Sequence, residues 1–147
     1  MKIGTWIAAT AALGLAFGAG CGDPRTQEPS QDEIREAVEK YGTRFLERVF
    51  TAGEIAYVET KANRFERYAA RFAAKEAGMK AIGTGWRGGV RWQDFEVRNR
   101  RSGRPELLLH GVAAEVARRM GVERIHLSLT HTETMAQAFV ILEGEGG

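Results

Sequence analysis

Glu76 stands where a carboxylate is least at home. From Phe65 to Gly89 the chain reads FERYAARFAAKEAGMKAIGTGWRGG. Apolar residues recur at Phe65, Tyr68, Ala69, Phe72, Ala73 and Met79, the period of a helix with one buried face. Glu76, four residues beyond Phe72 and three before Met79, falls on that face. A carboxylate there must be paired, neutralised or bound to a metal, because an isolated buried charge is too costly. Lys80 follows one turn later, within reach of Glu76 or of an anion that a metal at Glu76 would hold. Gly83 predicts a left-handed cap that ends the helix, and Gly85, Gly88 and Gly89 keep the backbone open after it. A plainer reading stays open: Glu76 pairs with Lys80 or Lys75 on a partly wet helix.

The elements that must position these residues belong to one domain of ordinary globular composition, large enough for a proper core. The single cysteine, Cys21, excludes an internal disulfide and a cysteine metal cluster. Charge is uneven although the net is only +2. Residues 22–60 carry nine acids and five bases, whereas 61–104 carry twelve bases and four acids. That basic middle suits an anionic ligand or an acidic partner. Nucleic acid is not expected, since no zinc pattern, aromatic ribonucleoprotein motif or basic helix-turn-helix signal is present.

Residues 1–21 resemble a secretory signal: Lys2, an uncharged run rich in Ala and Gly, and small residues before Cys21. The ending is like that of a bacterial lipoprotein signal with Gly18 in the place of the usual Leu, and a buried first strand is the alternative. Residues 22–31, with Pro24 and Pro29, read as a linker, so the folded domain is expected over 32–147. Ile34, Val38 and Tyr41 predict a short helix ended by Gly42, and Phe45, Leu46 and Val49 another. Thr51 to Glu54 is a capping box that starts a third at Ala52, and Asn63 is expected to cap the long helix. Beyond Gly89 the period becomes two: Val90, Trp92, Phe95 and Val97 predict a strand with a bulge near Gln93–Asp94. Ser102–Gly103 is a turn, and 107–110 the returning strand. A helix over 112–120, ended by Gly121, and two strands around 125–130 and 136–142 complete an α+β class with a largely antiparallel sheet.

Five segments together carry a resemblance. Arg71 to Ala77 (RFAAKEA), Lys80 to Gly85 (KAIGTG), Trp92 to Val97 (WQDFEV), Gly103-Arg104-Pro105 and Leu127 to Thr132 (LSLTHT) resemble the holo-[acyl-carrier-protein] synthases, small 4′-phosphopantetheinyl transferases. The resemblance covers about 34–143, with every motif in order. It implies the fold of that family: an antiparallel sheet packed with one long and several short helices. It implies a cytoplasmic homotrimer with sites between subunits, Mg²⁺, and transfer of phosphopantetheine from coenzyme A to a serine of acyl carrier protein. Adenosine 3′,5′-bisphosphate would leave. Glu76 matches the family's helix metal ligand, and Lys80 would meet the diphosphate as a point charge. Arg71 or Lys75 would hold phosphate oxygens further out, and Gly83, Thr84 and Gly85 would let the cofactor pass beside the backbone. His131 matches a position near the cofactor, with a solvent-facing strand-end histidine as the alternative.

The family opens with a strand of the form G-x-G-T-D-I-V-E-I whose Asp is the second metal ligand. Counting back without gaps from Ile34 places that Asp at Gln27; matching the wording places it at Trp6, within Lys2 to Ile7. Asp23 supplies a carboxylate but lies four residues too far from the helix. Where the family carries an Arg for the acidic carrier protein, this chain has Glu33, with Arg35, Arg44 and Arg48 nearby. Two further readings therefore stand beside the transferase: a relative that keeps the fold and coenzyme A binding without the metal site, and an exported, membrane-anchored binding module.

Overall fold

The computed structural model describes residues 7–10, as backbone, with 30–85 and 87–145. Its elements run β1 (Ile7–Thr10), α1 (Gln31–Tyr41), α2 (Thr43–Val49), α3 (Ala52–Glu59), α4 (Arg64–Ala81), β2 (Phe95–Asn99), β3 (Pro105–Leu109), α5 (Gly111–Arg119), β4 (Val122–His131) and β5 (Ala136–Gly144). The class is α+β, as the pattern predicted. The strands form not one sheet but two, a three-stranded sheet in the order β1-β5-β4 and a hairpin of β2 and β3, both antiparallel.

Small residues bring the layers together. On β5, Ala136, Ala138, Val140 and Leu142 alternate inward onto α4, which presents Ala73, Ala77 and Ala81. Near the helix end Gly78 closes on the hairpin: a Cβ there would stand 2.7 Å from Phe95 Cδ1 and 3.1 Å from Leu107 Cδ2. A second cluster joins Ile34, Leu46, Val49, Phe50 and Val58 of the short helices to Tyr68, Ala69 and Phe72. Phe72 also stacks on Trp92, ring centroids 4.6 Å apart.

Helix ends follow the sequence with informative exceptions. Thr51 and Glu54 form the expected capping box, and Gly42, Gly83 and Gly121 take positive φ at the ends of their helices. Asn63 stands at the N-cap of α4, but its side chain does not cap. Instead it donates to Glu66 Oε1 at 2.9 Å and accepts from Arg67 Nε at 2.9 Å. The phase break at Gln93–Asp94 is a 3-10 turn over Trp92–Asp94, not a bulge, because Asp94 accepts from its own N-cap at Arg91. α1 starts before the expected boundary: Ser30 and Glu33 make a second capping box, and Gln31 N–H donates to Thr134 O. Glu33 thus has a local reason to replace an arginine.

β1 lies inside the apolar opening run and pairs with β5, Ile7 opposite Leu142 and Thr10 opposite Phe139. Trp6, Cys21, Asp23 and Gln27 lie outside the described residues, as does the linker before Ser30.

Candidate active site

Two side chains carry the C-terminal end of α4. Lys80 Nζ lies 3.6 Å from Glu76 Oε1, and the two side chains are 42% and 17% exposed. Glu76 Oε2 is buried with no hydrogen-bond partner among the described residues. Burial pushes the Glu76 carboxyl above the ordinary range, and Lys80 opposes the shift only in part. A desolvated carboxylate with one unspent oxygen is a site short of a cation. Mg²⁺ commonly takes one or two carboxylates and completes its shell with phosphate and water, so the donor fits. Among the described residues no group of three His, Cys, Asp or Glu could hold a metal by itself.

The glycine loop follows directly. Gly83 (φ 74°) and Gly85 (φ 56°) take backbone that other residues avoid, and a Cβ on either would meet nothing within 4 Å. The Thr84 hydroxyl turns inward on the loop, donating to Gly85 O at 3.1 Å. An extended ligand could therefore run along this backbone beside Lys80.

Lys75 requires a correction. It was a candidate for cofactor phosphate, yet its side chain is fully buried and holds Glu54 Oε2 at 2.8 Å. Its ammonium also donates to Trp92 O at 3.2 Å and to Phe95 O. All three donors are spent inside the core, so no phosphate reaches them. The spacing contains the signal: Phe65, Tyr68, Phe72, Lys75 and Met79 recur at intervals of three and four, so Lys75 occupies a core slot. Glu54, read only as part of a capping box, is the buried partner. Burial lowers the Lys75 ammonium from its ordinary range, and Glu54 opposes that shift.

Arg71 sits in the middle of α4 and His131 against its first turn. Arg71 donates from Nη2 to Asn99 Oδ1 at 2.7 Å and lies over the Tyr57 ring at 4.7 Å, while its buried Nε has no partner among the described residues. Lys61 Nζ and Arg67 Cζ approach the same ring at 4.9 and 6.0 Å. His131 Nε2 lies 2.6 Å from Glu66 Oε1, in the first turn of α4. Sequence reading did not find the grouping of three cations around Tyr57, because α3 and its following turn reach it only through the fold. Nine residues separate Arg71 from Lys80, which places them on opposite sides of α4 and about 13 Å apart along its axis. Within one chain, then, Glu76, Lys80 and the glycine loop converge, while Arg71, buried against Asn99 and Tyr57, and His131, at the first turn of α4, each stand apart from them.

A cavity of about 550 Å³ opens elsewhere, between β3, α5 and β4, lined by Leu107, Leu109, Ile125 and Leu127 with Arg104 and Arg118. None of Glu76, Lys80, Arg71 and His131 borders it. Lys80 and His131 are partly exposed, whereas Arg71, expected at cofactor phosphate, is instead buried at 3% against Asn99 and Tyr57.

Residues 31–138 match the 4′-phosphopantetheinyl transferase superfamily. A holo-[acyl-carrier-protein] synthase of Solibacter usitatus is 68% identical over 112 residues, which cover 76% of this chain and 90% of that protein. The crystal structure of the Neisseria meningitidis holo-[acyl-carrier-protein] synthase superposes with a TM-score of 0.75 at 27% identity, covering 92% of this chain and 96% of that one. The Bacillus anthracis synthase, solved in complex with CoA (3′,5′-ADP), gives a TM-score of 0.68 at 27% identity over 94% and 96% of the two chains.

Proposed function

The chain belongs to the 4′-phosphopantetheinyl transferase superfamily, and from that premise we propose how it works: it transfers 4′-phosphopantetheine from coenzyme A to a serine of apo-acyl carrier protein. The observation that carries the residue assignment is the unspent, buried oxygen of Glu76 beside Lys80. Glu76 and the coenzyme A diphosphate would hold Mg²⁺, which when bound neutralises the diphosphate and withdraws charge from the reacting phosphorus.

The chain's own groups divide the remaining tasks. Lys80 supplies a point charge to the diphosphate oxygens, where negative charge grows on the departing adenosine 3′,5′-bisphosphate. The serine oxygen forms the new P–O bond as the bond to that leaving group breaks, and the hydroxyl proton is released. Gly83 and Gly85 leave room for the pantetheine arm to pass against backbone. Lys61 and Arg67, partly exposed beside Tyr57, offer charge to the nucleotide end, with the buried Arg71 supporting the ring. Arg44 and Arg48, exposed on α2, with Arg35 on α1, offer cations to the acidic carrier protein.

His131, held by Glu66 about 15 Å along α4 from Glu76, is best brought to the site by a neighbouring copy, the Glu76 end of one chain facing the His131 end of another. A homotrimer satisfies this with three identical sites. Phe139, 40% exposed in the middle of the central strand, marks a face for that contact. The reading places the protein in the cytoplasm with its two substrates, and cell fractionation decides between that and export.

Incubation with apo-acyl carrier protein, coenzyme A and Mg²⁺ tests the function. Mass spectrometry should show the carrier gaining one phosphopantetheine with wild-type protein and not with Glu76→Gln. Equal conversion by both would remove Glu76 from the chemistry, and no conversion by wild type would remove the function.

A further inference from the structure

We infer that the buried Lys75–Glu54 pair is a positioning device for Glu76, setting the rotation of α4 rather than merely stabilising the core. The inference rests on the reading of Glu76 as a cation ligand. Glu54 is held from three sides: Thr51 N–H donates to Oε2 at 2.9 Å, Val97 N–H to Oε1 at 3.0 Å, and Lys75 Nζ lies at 2.8 Å. Lys75 in turn holds the carbonyls of Trp92 and Phe95. One charge pair thus ties α4 to the start of α3, to the 3-10 turn and to β2. Gly78, three residues on, seats the same side of the helix against Phe95.

Such a pair is a weak source of stability, since apolar residues of equal volume often serve as well. What apolar contacts lack is direction. Glu76 is the next residue along, about 100° around the helix and 1.5 Å further up, so its placement follows from that of Lys75. A rotation of about 10° moves a carboxylate about 6 Å from the axis by about 1 Å. A displacement of about 1 Å can lower turnover about a hundredfold.

The test replaces the pair without leaving a buried charge: Glu54→Gln with Lys75→Met in one chain. Circular dichroism and thermal melting first establish that it folds. Mn²⁺ binding in the presence of coenzyme A, read by electron paramagnetic resonance, should then weaken at least fivefold relative to wild type. In the transfer assay kcat should fall tenfold to a hundredfold with KM for carrier protein unchanged. A folded double variant that binds Mn²⁺ and turns over like wild type overturns the inference and leaves the function intact. Wild-type protein that binds no Mn²⁺ overturns both. Should the double variant not fold, Glu54→Asp keeps the charge while withdrawing it by one methylene, and the same two readouts apply: weaker Mn²⁺ binding supports positioning, unchanged binding refutes it.

Discussion

Lys80 Nζ lies 3.6 Å from Glu76 Oε1, while Glu76 Oε2 is buried and finds no hydrogen-bond partner among the described residues. The folded protein therefore carries a charge it would be easier without. Burial raises the Glu76 carboxyl, so the native state holds that proton more tightly than the unfolded chain does. The ionised form lowers stability above the native value, and the loss fades as pH falls toward the unfolded value. Glu76→Gln should accordingly abolish transfer yet melt higher than wild type at neutral pH, by the equivalent of about 0.5 kcal/mol. The difference should shrink in acid. Thermal melts of both proteins across that range check the sign.

Lys80→Met removes a cation from Glu76 as well as from the diphosphate. Because Glu76 is largely buried, its carboxylate is left less compensated, and melting at neutral pH should fall by the equivalent of about 1 kcal/mol. Loss of a cation aimed at developing charge lowers turnover by about 10²–10³. Steady-state kinetics should show that fall in kcat while the carrier protein KM stays within a few-fold.

Glu96 predicts the opposite pH behaviour to Glu76. Burial pushes its carboxyl up, but Arg98 at 3.1 Å and His110 at 2.7 Å outweigh this and hold it below the usual range. The native state binds the proton more weakly than the unfolded chain, so the stabilisation exists above the unfolded value and is lost as pH falls through the native one. Glu96→Gln should be less stable than wild type at neutral pH, and the gap should close below about pH 4. Denaturant midpoints at several pH values measure it.

Gly78→Ala tests the seat of α4 on the hairpin. Alanine gains about 1 kcal/mol of helix propensity over glycine. Its Cβ would stand 2.7 Å from Phe95 Cδ1 and 3.1 Å from Leu107 Cδ2, both in buried side chains, and overpacking of this kind costs about 1–3 kcal/mol. A net loss of about 1 kcal/mol is expected, read as a lower denaturant midpoint.

The sequence made α4 and its cap legible because periodicity and a glycine with positive φ are local signals. It also singled out Glu76, which sits at the edge of the apolar stripe. Lys75 was misread from the same stripe because charge type outweighed spacing: a lysine beside a candidate ligand suggests phosphate, whereas its three acceptors come from Glu54, Trp92 and Phe95, distant in the chain. The division of the sheet was hidden for a similar reason, since alternation reveals strands and not which edges pair. The grouping of Lys61, Arg67 and Arg71 on Tyr57 needs α3 folded against α4, and no spacing announces it.

Phe139 offers the sharpest test of how the site is completed. Along β5, Ala138 and Val140 point into the core, so Phe139 between them points away from α4 and remains 40% exposed. Its cross-strand partner on β4 is Ser128, which leaves the ring without an apolar neighbour directly opposite. Covering the 40% of that ring still exposed with a second copy would recover about 1 kcal/mol per chain, which adds up in a symmetric contact repeated around an axis. Phe139→Arg places like charges against one another at such an axis while leaving the monomer core untouched. Sedimentation should then show the wild type as a trimer and the variant as a monomer, with transfer activity lost although Glu76 and Lys80 are intact. A variant that is monomeric and fully active would mean that one chain suffices for catalysis. A wild type that is itself monomeric would mean that this face serves something other than a second copy.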